Sequence, residues 1–175
     1  MDRSDGHGHD QGHGHNHIYA FSGNSDLTVL DAIWKWAPGG NMYNRHLTLQ
    51  AEYFQRSEAG TVTEEVDNVS TGYRGTQRGL YAQAVYRFMP RWRTGLRYDR
   101  LWSDNRGNNT ALLTEAELAD ADSAAQRYSA MLDFSPSEFS RLRLQYSRSD
   151  IDGETDNAVF LQYIMSLGAH GAHRF

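Results

Sequence analysis

Gln83-Ala84-Val85-Tyr86-Arg87-Phe88-Met89-Pro90-Arg91-Trp92-Arg93-Thr94-Gly95-Leu96-Arg97-Tyr98 reads as two strands joined by a tight turn. Before Pro90, Ala84, Tyr86 and Phe88 alternate with Gln83 and Arg87; after it, Trp92, Leu96 and Tyr98 alternate with Arg93, Gly95 and Arg97. A period of two is that of an extended chain with one apolar and one polar face. Proline offers no N–H to a ladder, so it belongs at the turn. Two more Pro-bearing turns follow the same plan, Ala37-Pro38-Gly39-Gly40-Asn41 and Ser135-Pro136-Ser137-Glu138. Between the turns lie longer polar, acidic connections at about 57–76, 103–124 and 150–156. Short turns at one end and long loops at the other are the asymmetry of an antiparallel up-and-down outer-membrane barrel.

Parity extends the reading to seven strands. At 27–36, Leu30, Ala32, Trp34 and Trp36 share a face opposed by Asp31 and Lys35. At 45–56, Leu47, Leu49, Ala51 and Tyr53 oppose His46, Thr48, Gln50, Glu52 and, less comfortably, Phe54. Strands at 77–88, 92–102, 126–134, 140–148 and from about 157 alternate in the same way. Each has about the ~9–11 residues of a tilted transmembrane crossing. A soluble sandwich would alternate too, but arginine and aspartate in mid-strand, opposite an apolar face with aromatics near its ends, favours the barrel. Single-chain bacterial barrels have even strand numbers. Ile18-Tyr19-Ala20-Phe21 is therefore a candidate short eighth strand, unless further strands lie upstream in a longer parent. The expected fold is all-β: a transmembrane up-and-down barrel with seven or eight strands in this chain, part of a larger barrel.

The 175 residues suit one domain, and no apolar run approaches the ~20 residues of a membrane-spanning helix. A barrel passes that test because only alternate residues meet lipid. The absence of cysteine excludes disulfides, thiolate metal sites and cysteine nucleophiles. A net charge of -5 argues against nucleic acid as a partner. Residues 1–25 lack the apolar core of a signal peptide, although a barrel must be exported. The expectation is a C-terminal portion of a protein much larger than 19.9 kDa. It divides into a His/Gly-rich flexible extracellular segment at 1–25 and barrel wall at 26–175.

The stretches Ala32-Ile33-Trp34-Lys35-Trp36-Ala37-Pro38, Leu47-Thr48-Leu49-Gln50-Ala51-Glu52-Tyr53-Phe54 and Pro90 to Leu101, with Ser135 to Tyr146 and the ending Phe160 to Phe175, carry a resemblance. Together they resemble the C-terminal half of a proteobacterial outer-membrane family described as porin-like or zinc-regulated, TonB-dependent-receptor-like proteins. The resemblance spans about 26–175. It implies a Gram-negative outer-membrane barrel in contact with lipid, concerned with passage of metal or small solutes. No plug domain or TonB-box segment is visible in the sequence. The terminal Phe175 resembles the signal read by the barrel-assembly machinery, although His173, Gly171 and Ala169 depart from its usual alternation.

Candidate sites follow from residue chemistry. His7, His9, His13, His15 and His17 are spaced by glycine and polar residues. Imidazole is the common ligand for Zn²⁺, Cu²⁺ and Ni²⁺, and His-rich tracts of this kind are read as metal-binding. Zinc, or copper or nickel, is thus an expected guest; no cofactor is required. Parity places Arg87, Arg93, Arg97, Arg127, Arg141 and Arg143 inward, against Asp31, Glu52, Asp99 and Asp133. Charged rings tune pore selectivity, and Arg–Asp pairs also brace a wall. His46 is the one histidine read inside a strand. No nucleophile motif such as Gly-x-Ser-x-Gly accompanies it, so no enzyme is expected. The functional expectation is passage of small solutes or metal ions across the outer membrane, with metal capture at the head. A plugged metal-uptake receptor of the TonB-dependent type, or a structural or adhesive barrel, is the alternative.

Overall fold

The structure, a computed structural model, describes residues 18–66, 68–119 and 124–166. Seven antiparallel strands form one meander, each paired with its sequence neighbours: β1 (Tyr19–Trp36), β2 (His46–Glu64), β3 (Val69–Met89), β4 (Trp92–Gly107), β5 (Ala125–Ser137), β6 (Ser140–Ile151) and β7 (Glu154–Met165). A short helix α1 (Thr110–Glu115) lies between β4 and β5. The all-β, antiparallel expectation is met. Among the described residues β1 and β7 do not pair, so the sheet is open.

Three expectations about its ends need correcting. Ile18-Tyr19-Ala20-Phe21 is no eighth strand, because Tyr19 to Phe21 open β1 and pair with Glu64 to Val62 of β2. The supposed long loop at 57–76 is mostly ladder: β2 and β3 pair without a break from His46↔Arg87 to Glu64↔Val69. β-branched and aromatic residues such as Thr61, Val62, Thr71 and Tyr73 favour that extended state. The connection at 150–156 shrinks to the turn Asp152-Gly153, whose φ values of 53° and 79° are both positive. That is the Asp-Gly hairpin geometry whose twist matches the flanking strands. Only the β4–β5 connection is long. There Asn109 caps α1, its Oδ1 accepting from the Leu112 N–H at 3.1 Å, and Leu112 and Leu113 are buried.

The two faces of the sheet are separated along β1–β7. Ladder rows such as Asp31–Glu52–Tyr81–Asp99–Arg127 and His46–Arg87–Arg93–Asp133–Arg143 make one face polar. Rows such as Trp36–Leu47–Tyr86–Thr94–Leu132–Leu144–Leu161 make the other apolar. The polar face is the buried one: Asp133 is wholly covered, and Ser147 and Ser149 nearly so. The apolar face stands open, with Leu96 at 66% and Leu161 at 72% exposure. This inverts the ordinary rule that a sheet hides its apolar side.

The inversion stops partway up β1–β4. Beyond Leu30, Tyr53 and Leu80, the outer residues become Thr28, Asp26 and Asn24 on β1, Gln55 and Ser57 on β2, and Arg78 and Thr76 on β3. In the same stretch the inner face gains apolar residues beside buried Glu58, Glu64 and Thr71. Val62 (1% exposed), Tyr73 and Leu113 form a small core, joined by Ala116 and Leu118, and Phe21 meets Tyr73 edge-on with centroids 6.0 Å apart. The extended part therefore has normal water-facing polarity, while the lower part does not.

Phe54, the misfit in the parity reading, faces the polar side because Gly79 lies directly opposite it. The Phe54 ring covers the space that a side chain at Gly79 would fill. Such aromatic cover compensates a strand glycine for the packing it lacks. Gly79→Ala is expected to force the ring aside at a cost of about 1–3 kcal/mol, the usual scale of overpacking. Urea unfolding of Gly79→Ala beside Gly72→Ala, where a Cβ would meet nothing within 4 Å, measures that difference.

Candidate functional site

The hairpin registers assemble the polar face of β4–β6. The Pro90-Arg91 turn sets Arg93 opposite Arg87, and the β4–β5 pairing sets Arg93 opposite Asp133. The β5–β6 hairpin then sets Asp133 opposite Arg143. Asp133 becomes the centre of a basic cluster. Its Oδ2 accepts from Arg93 Nε at 2.8 Å and Arg143 Nη2 at 3.0 Å, and its Oδ1 accepts from Arg143 Nε at 2.8 Å. Arg93 Nη2 is 2.7 Å from the carboxylate and Arg141 Nη1 3.7 Å. A buried carboxylate is tolerable because charge-assisted bonds replace its hydration.

Two and three rows higher on the same face, beyond Gly95 and Met131, the chemistry changes. Arg97 grips Asp99 through Nε and Nη2 at 2.6–3.0 Å and stacks over the Tyr81 ring at 4.2 Å. The Tyr81 hydroxyl donates to Glu52 Oε2 at 3.1 Å and receives Gln50 Nε2 at 2.8 Å; Gln83 Nε2 in turn donates to Gln50 Oε1 at 2.8 Å. Arg127 donates to Ser149 Oγ at 2.9 Å. Between these groups lies an open cavity of about 520 Å³, walled by Arg93, Arg97, Arg127, Arg141 and Arg143, with Asp99 beside them.

All ten charged residues assigned inward by parity share this face. Asp31 and Glu52 lie on the β1–β2 side, opposite each other in register. Arg87 is drawn toward the short-turn end, donating to the Tyr43 carbonyl at 3.3 Å. His46 is the first residue of β2 and not in the middle of the strand; its Nδ1 lies 2.6 Å from the Met42 carbonyl, a turn-bracing contact. His7, His9, His13, His15, His17 and Phe175 lie outside the described residues. Among the described residues no group of three or more His, Asp or Glu is placed to hold a metal ion. Far from the cavity, the Tyr19 phenol is held above its ordinary range, first by desolvation and then by the Glu115 and Glu64 carboxylates.

Parity did not reveal which acid meets which arginine. Nor did it reveal the aromatic pairs of the apolar face. Trp92 and Phe134 stand opposite each other with centroids 4.7 Å apart, Tyr98 and Tyr128 4.9 Å, and Tyr53 meets Trp102 at 6.4 Å. The first two follow from the β4–β5 register, which runs across the long connection holding α1, so no short turn in the sequence announced them.

No family model matches the chain, and no solved structure matches it. The chain is similar to an uncharacterized protein of Aquifex aeolicus (strain VF5), 33% identical over 163 residues. The match takes up 90% of this chain and 32% of that protein, so the chain spans about a third of its relative's length.

Proposed function

We propose that the chain is the C-terminal part of an outer-membrane β-barrel that passes small solutes or metal ions, its apolar face against lipid and its polar face along the lumen. The inverted burial carries this reading: Asp133 is covered, its arginine partners are half-buried and large apolar side chains are exposed, but only within a band. On the outer face that band runs from Leu80 to Phe88 on β3 and from Trp92 to Trp102 on β4, where Arg100 interrupts it near the edge and lies over the Trp102 ring at 5.4 Å. Both lengths suit the ~9–11 residues of a tilted crossing. The pairs Trp92–Phe134 and Tyr53–Trp102 lie near its two edges, where aromatic girdles are expected. The upper edge falls diagonally, from Thr28, Gln55 and Arg78 to Gln126 on β5 and Arg148 and Asn157 on β6 and β7. Strands inclined to a flat slab require such a slope. Above the slab the extension returns to water-soluble polarity.

Open edges of β1 and β7 support a larger parent, since long unpaired edges invite pairing and closure removes them. The relative's greater length leaves room for the missing strands. The His-rich head joins β1 at its polar, water-facing end, and in this reading it collects zinc there. The test is fractionation of cells expressing the native polypeptide, followed by gel migration with and without heating and by planar-bilayer conductance with and without zinc. A heat-modifiable outer-membrane band well above 19.9 kDa that conducts is the expected result. Recovery in a soluble fraction would overturn the membrane assignment. An outer-membrane band without conductance would leave the plugged or structural barrel.

A further inference from the structure

We propose that Arg93, Arg141 and Arg143 form a binding site for a small oxyanion, phosphate or a carboxylate, on the wall of the proposed lumen. This inference rests on the barrel reading for its setting but on the cluster for its chemistry.

The charges do not balance locally. Three guanidiniums meet one carboxylate, and Asp133 is already saturated by four contacts from Arg93 and Arg143 at 2.7–3.0 Å. Arg141 is left at 3.7 Å, too long for a hydrogen bond, with its head on the 520 Å³ cavity. Arg87 stands directly opposite Arg93 in the ladder, a like-charge pairing that is unfavourable without a counter-charge. The nearest other acid on the cavity, Asp99, is held by both nitrogens of Arg97.

A wall braced only by ion pairs would match acid to base. Here Asp133 instead spaces and orients two arginines, leaving the remaining N–H groups of each fork directed away from it. Each guanidinium carries five donors, and a carboxylate or phosphate accepts them in pairs. The open cavity beside the cluster suits a site that captures and releases an anion. Arginine is preferred over lysine for this planar recognition.

The test uses the full-length native polypeptide in detergent micelles, titrated with inorganic phosphate by calorimetry and ³¹P NMR. Saturable binding is expected. Arg141→Gln should weaken it about tenfold or more, the scale of a lost charge-assisted hydrogen bond. Arg141 makes the longest contact with Asp133, so the variant should still fold, which unchanged heat-modifiable migration verifies. Arg106→Gln, removing a charge from the exposed pair with Asp104, should leave binding unchanged. No saturable phosphate binding, or an equal loss in Arg106→Gln, overturns the site. Bilayer currents separate the two proposals: binding without conductance removes the pore and keeps the site. Conductance that is cation-selective and indifferent to phosphate removes the site and keeps the pore.

Discussion

Leu96→Arg is expected to destabilise the native protein in bilayers by about 2–4 kcal/mol, the cost of an arginine near the midplane of a barrel's lipid face. Leu96 lies midway along the apolar band of β4, between Ala84 and Ala130 in the ladder, and is 66% exposed. In a water-soluble sheet, exchanging so exposed a leucine for arginine would change stability by no more than about 0.5 kcal/mol. The two solvents therefore predict different magnitudes for one substitution. Asn24→Arg provides the comparison. Asn24 faces the same side of the sheet but sits in the extension, where the outer surface is polar, so it should be neutral. Urea unfolding from lipid vesicles, followed by tryptophan fluorescence, gives both values. A neutral Leu96→Arg would mean that the apolar face is covered by protein or by water, and not by lipid.

This contrast also marks what was legible in the sequence. Where β3–β6 cross the band, apolar residues alternate with polar or charged ones, broken by Arg100 on the outer face and by Val85 and Met131 on the inner, and parity alone separated Leu96 and Tyr98 from Arg93 and Arg97. Above the band the contrast is weaker and reversed: Glu58 and Val62 share the inner face, while Thr61 and Ala59 face out. That stretch therefore read as loop, although its ladder is continuous. Asp152-Gly153 carried a hairpin signal of its own, which the acidic composition around it obscured. Phe54 broke the parity rule because its partner Gly79 sits 25 positions along the chain, and no local pattern connects them.

The charged site was legible to the level of a face and no further. Ten residues could be assigned to one side, yet Asp133 had six arginines to choose from. Its partners follow from register, since a slip of one residue would move the side chain to the other face. The β4–β5 ladder, carried on by the Ser135 N–H donating to the Arg91 carbonyl at 2.8 Å, and the Ser137–Ser140 closure remove that freedom, making Arg93 and Arg143 direct neighbours of Asp133. Asp99, in contrast, turned to Arg97 on its own strand, where a local contact satisfied it. The structure thus distributes two acids very differently, one in a covered multi-arginine cluster and one in a half-open pair.

That difference sets the second large effect. Asp133→Asn should cost about 3–5 kcal/mol, the scale for removing one partner from a buried ion pair and stranding the other charges. Asparagine fills the same space, so the loss would come from charge and not from a cavity. Asp104→Asn, at an exposed pair with Arg106, should cost at most about 1 kcal/mol. Urea is the denaturant of choice for this comparison, because guanidinium ions would screen the arginines whose repulsion is being measured. Phosphate should restore part of the Asp133→Asn loss if the cluster takes an oxyanion, since a bound anion supplies the missing negative charge and stabilises only the folded state. Chloride at the same ionic strength should restore less. If Asp133→Asn costs no more than Asp104→Asn, the carboxylate does not hold the arginines together. Its four short contacts would then be balanced by water reaching the cluster from the cavity, and the wall would be standing on its backbone ladder alone.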